Sequence, residues 1–243
     1  MPPSSSSSSS PSQASHQHIA STNLRSIDRI SGNCSPTIKQ AFLNPGMIFP
    51  TLDHDGKYRV LGFAMESIFQ RAVVTHIGSS NTREGRSSKF QSDKLGEVEN
   101  SADSSEKPIE TGQSITIICE IDVLPDMANN HHTLHGGCAA FLIDMCSSLS
   151  VVALTLIMKV KSSGLTDVDN FPPKLDLISQ SLNVVYHSPS QIGDKLRIVC
   201  TTMPMRELTS NVCVQTEIWS IVRHRLVASG VQNMMKMSPN ARL

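Results

Sequence analysis

Two features of this 243-residue chain have residue types and a spacing that can do chemistry. The first is the glycine pair Gly136-Gly137, which follows Asn129-x-x-x-x-Leu134-His135 and opens a long apolar run. The second is Asp144, the one charged residue in 136–158. Glycine lets other groups come close to the backbone. A helix that begins there presents unpaired N–H donors and roughly half a positive charge. Such an end can hold a carbonyl oxygen that turns negative in a transition state, and one well-placed donor is worth on the order of a hundredfold in rate or more. A lone carboxylate on an apolar helix is costly to bury. Desolvation makes it more basic, which suits a general base or a nucleophile.

Spacing then constrains assembly. Seven residues of helix span about 10.5 Å, so the Gly137 N–H and the Asp144 carboxylate of one chain cannot both reach one carbonyl carbon. If both act, they come from different chains. Two such helices, antiparallel across a two-fold axis, set Gly137 of one against Asp144 of the other. The expectation is a homodimer, or a tetramer made of two dimers.

The elements that must position these groups are legible in outline. Residues 72–77 and 114–123 are rich in β-branched residues and predict strands. Between them, residues 78–112 are polar and predict an inserted loop. Residues 136–158 predict a helix that is apolar on every side and so must be covered on every side. Further strands are predicted near 176–187, 195–203, 211–222 and 225–236, with turns marked by Ser188-Pro189 and Ile192-Gly193-Asp194. One curved antiparallel sheet wrapped round one central helix satisfies this order. That is an α+β architecture, the arrangement called the hotdog fold. The apolar run is also long enough to cross a membrane, but Asp144, Ser147, Ser148 and Ser150 argue against a span.

At these residues the chain resembles the hotdog-fold acyl-CoA thioesterases, which include the phenylacetate-pathway thioesterases and the animal thioesterase-superfamily enzymes. The resemblance rests on Asn129-x-x-x-x-Leu134-His135-Gly136-Gly137 with Asp144 nine residues after the histidine. It also rests on 178–189 (ISQSLNVVYHSP) with Gly193-Asp194. It covers roughly 114–236. It implies an acyl-CoA substrate, with Asp144 as general base or nucleophile and the Gly137 N–H polarising the thioester carbonyl. Asn129 would position water or the thioester, Ser179 would help orient the water near Asp144, and His135 would brace the loop or touch the carbonyl. It further implies that Gly136, His132, Leu134, Tyr186 and Lys236 line the substrate. The family usually has Gly where this chain has His132. Its last strand is also more basic than 231–236 (VQNMMK).

Composition bounds the alternatives. Lys and Arg total 21, as do Asp and Glu, so nothing suggests a nucleic-acid partner. Six scattered cysteines without a CxxC pair suggest a reducing compartment rather than a disulfide framework. His131 and His135 have the spacing of a helical metal pair, but the glycines that follow place them on a loop, so neither a metal nor another cofactor is expected. A hydratase would want a histidine beside the acid, where Met145-Cys146 stand. A non-catalytic acyl-CoA-binding protein of this fold is the other alternative. Residues 1–36 read as a Ser-rich disordered tail and 37–240 as the domain. Ala241-Arg242-Leu243 resembles a peroxisomal address, against a cytoplasmic or mitochondrial location.

Overall fold

The computed structural model describes residues 27–49, 51–52, 58–59, 62–82, 112–163, 177–205 and 211–236. A short helix α1 (Pro36–Ala41) comes first. A two-residue ladder, β1 (Thr51–Leu52) with β2 (Tyr58–Arg59), follows. The main body comprises β3 (Val73–Thr82), β4 (Gly112–Asp122), the helix α2 (Gly136–Ser163), then β5 (Leu177–Tyr186), β6 (Lys195–Thr202), β7 (Asn211–Ser220) and β8 (Arg225–Lys236). The last six strands form one antiparallel sheet in the order β3-β4-β6-β7-β8-β5.

Alternation builds the inner face of that sheet. Ile115, Ile117, Cys119 and Ile121 of β4 are buried, as are Leu196, Ile198 and Cys200 of β6 and Val212, Val214 and Ile218 of β7. Across this face lies α2, in contact with β4, β5, β6, β7 and β8. Leu142, Ile143, Leu149, Val151 and Leu154 are all fully buried. The helix is long and apolar enough to cross a membrane, yet 72% of its most apolar window is buried inside the chain. Hydroxyls along it are satisfied locally: Ser148 donates to the Asp144 carbonyl at 2.8 Å and Ser150 to the Ser147 carbonyl at 2.6 Å. The arrangement is a hotdog fold.

The chain before β3 covers part of the helix that the sheet leaves open. Ser35 caps α1 by accepting the Ile38 N–H, and Pro36 stands at its first turn. α1 packs on α2, and the Phe69 and Phe141 rings meet edge-on with centroids 6.3 Å apart.

Three boundaries differ from the expected ones. Residues 27–36, expected in a disordered tail, are structured: Ile30 is buried, Ser31 forms a parallel bridge with His76, and Pro36 begins α1. Residues 78–82 and 112 belong to β3 and β4 rather than to an inserted loop. The helix continues to Ser163, past the expected end at 158. The Ser-rich residues 1–26, the interior of the insertion at 83–111 and the tripeptide 241–243 lie outside the described residues.

The two edges of the sheet are unlike. Along β3 the chain's own residues 31–33 pair with the strand. Ser31 N–H donates to the Thr75 carbonyl at 2.9 Å, Ile77 N–H donates to the Ser31 carbonyl at 3.1 Å, and Asn33 exchanges two hydrogen bonds with the Ser79 backbone. The other edge, β5, is largely exposed and carries Ile178, Leu182, Val185 and Tyr186.

Candidate active site

Asp144 lies in the third turn of α2, half-buried, where the helix faces β5 and β8. Ser179 Oγ of β5 donates to its Oδ1 at 2.9 Å. Gln232 Nε2 of β8 also donates to Oδ1 and donates to Ser179 Oγ at 2.8 Å. Gln232 is fully buried, and its Oε1 accepts from Ser147 Oγ, one turn along α2 from Asp144. The Asp144–Ser179–Gln232 triangle is therefore closed on Oδ1. Among the described residues, no hydrogen bond is made to Oδ2.

Ser179 reaches this position through a defect in strand pairing. In the β5–β8 ladder Ser179 opposes Met234 and Ser181 opposes Asn233, so Gln180 is an extra, unpaired residue. A bulge of this kind reverses which side chains face inward. On one side of it Tyr186 and Val184 face the helix; on the other, Ser179 and Leu177 do. Without the bulge, strict alternation from Tyr186 would aim Gln180 at Asp144.

A second cluster sits at the start of α2. The Ala139 N–H donates to the His135 carbonyl, so His135 is the capping residue. Its ring also caps: the Gly137 N–H donates to Nδ1 at 2.9 Å, which places the ring proton on Nε2. The donor expected to polarise a carbonyl is thus covered by the chain's own histidine. Tyr186 Oη donates to the Gly136 carbonyl at 3.0 Å, and a Cβ on Gly136 would come within 3.2 Å of that tyrosine ring. Glycine is what lets the ring lie against the helix start.

The preceding loop is held by Asn129. Its Oδ1 accepts from the N–H groups of His131 and Thr133 at 2.9 and 3.3 Å and from the Thr133 hydroxyl at 3.1 Å. Its amide oxygen therefore shapes the turn. His132 has φ +58°, the left-handed region that favours glycine. Leu134 is buried and donates its N–H to Ser190 at 2.7 Å. The backbone of Lys236 pairs with Leu177 at the end of β8. His131 and His135 both precede the helix, so their spacing of four is not a helical pair. Cys138, in the first turn, is no nucleophile at neutral pH: burial, reinforced by Asp126, pushes its thiol up to about 11.

The structure thus gathers the sequence-derived residues into two groups: Asp144 with Ser179, and Gly136, Gly137, His135 and Tyr186 with the loop of Asn129. Along one helix these lie about 10 Å apart. The sequence reading did not include Gln232.

The chain is similar over about half its length to several solved structures. Zebra fish thioesterase superfamily member 2 is 20% identical, with 50% of this chain and 75% of that one covered and a TM-score of 0.39. The Escherichia coli PaaI protein from the phenylacetic acid degradation operon is 15% identical over 51% and 73%, with a TM-score of 0.39. A hypothetical thioesterase protein with coenzyme A from Streptococcus pneumoniae TIGR4 is 17% identical over 51% and 79%, with a TM-score of 0.40. No family model matches the sequence, and no curated protein does.

Proposed function

We propose that this chain hydrolyses acyl-CoA thioesters, with Asp144 as the group that activates water or attacks the thioester. The observation that carries the reading is the state of the Asp144 carboxylate. It stands on an apolar helix with Oδ1 held by two donors and Oδ2 without a protein partner among the described residues. In the general-base route, Oδ2 takes a proton from water as the water oxygen adds to the thioester carbon. The carbonyl oxygen then carries the charge, and a helix-start N–H stabilises it. On collapse the C–S bond breaks, and the coenzyme A thiolate takes the proton back from Asp144. In the nucleophilic route the same Oδ2 attacks the carbon, and the C–S bond breaks to release the coenzyme A thiolate and leave a mixed anhydride on Asp144. Water then hydrolyses the anhydride to the free acid and the Asp144 carboxylate, its released proton going to the thiolate. For the Gly137 N–H to serve as the oxyanion donor, the His135 ring must first turn away from it.

The oxyanion donor that Asp144 requires comes, in this reading, from a second copy. β5 touches both groups of residues: Tyr186 at the helix start and Ser179 beside Asp144. If two β5 edges pair antiparallel about a two-fold axis near Leu182 and Asn183, Ser179 and Asp144 of one copy face Tyr186 and Gly136-Gly137 of the other. The apolar side chains exposed on β5 favour such pairing.

The test is thiol release from a panel of acyl-CoAs. Asp144→Asn keeps an acceptor oxygen for Ser179 and Gln232 and loses the base. We expect at least a hundredfold loss of kcat, on the order of what a general base supplies, with Tm little changed. Unchanged turnover in this variant overturns the assignment. Acyl-CoA binding without thiol release from the wild-type protein would identify a binding protein instead.

A further inference from the structure

We propose that Gln232 is a positioning residue for Asp144: by tying down Oδ1 it selects Oδ2 as the oxygen that meets water or the thioester. This inference rests on the reading of Asp144 as the reacting group.

Three observations support it. First, Gln232 has no solvent exposure, yet it sits on the inward face of β8 in a series otherwise made of Ala228, Gly230 and Met234. A buried amide costs free energy unless its polar atoms are paired, so an apolar residue would be the default choice here. Second, the amide is oriented from behind. Ser147 on α2 donates to Oε1, which leaves the Nε2 donors aimed at Asp144 and Ser179. A reversed amide would set its oxygen against the Asp144 carboxylate oxygen, and this repulsion fixes the orientation. Third, Gly230, two residues earlier on the same strand, allows close approach. A Cβ there would come within 3.1 Å of two Ile143 carbons, and Ile143 precedes Asp144. Helix and strand thus meet closely beside the amide.

The chemical consequence follows from counting lone pairs. A carboxylate with free rotation offers either oxygen to a substrate. One whose Oδ1 accepts from both Gln232 and Ser179 offers Oδ2 in a fixed direction. Gln232 acts through Asp144 and need not touch the substrate.

The test uses the full-length protein. Gln232→Met keeps approximate length and burial and removes both donors. Gln232→Glu keeps the shape and the acceptor for Ser147, and when ionised has no donor for Asp144. Both are expected to lower kcat by about ten- to a hundredfold with KM within about twofold, as loss of orientation rather than of binding would. The second readout does not depend on turnover. The side-chain amide protons of Gln232, assigned by their disappearance in Gln232→Met, are expected to be protected from exchange and to move when Asp144→Asn removes the charge they face. A kcat within twofold of wild type in Gln232→Met, or a change confined to KM, overturns the proposal. So do amide resonances that ignore Asp144→Asn. If the wild-type protein hydrolyses no acyl-CoA, the functional reading fails by itself, and the amide resonances still decide whether Gln232 holds Asp144.

Discussion

A charged side chain on an oily helix is tolerable only when its neighbours supply hydrogen bonds, and here two residues do so on one oxygen. That Asp144 needs such neighbours was legible from the apolar residues around it. That Gln232 is one of them was not, although a signal existed. On β8 the inward series Ala228, Gly230, Gln232, Met234 contains one polar residue, and a lone amide in an apolar alternation marks a buried network. Asn129 shows the reverse. Its place in the motif suggested substrate contact, while the structure spends its Oδ1 on the turn. Two predictions belong at this scale. His132 holds a left-handed conformation, so His132→Gly should raise stability by about 1 kcal/mol, measured by denaturant unfolding. At Cys138 the thiol is raised from 9.0 to about 11, so the thiolate fraction below pH 9 is about a hundredfold smaller in the folded protein than in the unfolded chain. Iodoacetamide should therefore label Cys138 slowly at pH 8, faster as pH rises towards 11, and readily after unfolding, as read by mass spectrometry.

Elements were easier to foresee than their details. The four C-terminal strands and the buried helix follow from runs of apolar residues and from turn residues, because each must bury one face or all faces. The bulge at Gln180 left no such mark. In 177–186 (LISQSLNVVY) polar and apolar residues alternate loosely enough that either face can be turned inward. Only the ladder with β8 fixes the shift. The structured segment at 27–35 (IDRISGNCS) was also hidden, since it is short, has neither a helix nor a strand period, and directly follows the serine-rich stretch. At this scale Gly230 is the sensitive point. An added Cβ would lie 2.9 Å from the Asn183 carbonyl oxygen and 3.1 Å from Ile143. Gly230→Ala should thus cost about 1–3 kcal/mol through overpacking, seen as a Tm lower by several degrees, with a fall in kcat as α2 is pushed from the sheet.

At the scale of the whole molecule, the separation of the two groups along one helix makes a specific prediction about mixtures. Proline is accepted in the first turn of a helix and has no N–H, so Gly137→Pro removes the proposed oxyanion donor. Alone, Gly137→Pro and Asp144→Asn should each lose about a hundredfold or more in kcat. Co-expressed, they should form heterodimers in which one site carries both lesions and the other carries neither. Activity then returns to a substantial fraction of wild type. No recovery in a mixture shown by mass to contain heterodimers would mean that each chain works alone.

The asymmetry of the sheet edges sets a limit on growth. A sheet with two bare margins can add neighbours at both and extend without end, which is how fibrils start. In this chain residues 31–33 occupy the middle of one margin. Among the described residues the other margin, β5, is the one left open, and in the proposed pairing each copy would use it. If copies pair through β5 as proposed, the short run from Ser31 to Asn33 would act as a stopper on further growth of that sheet.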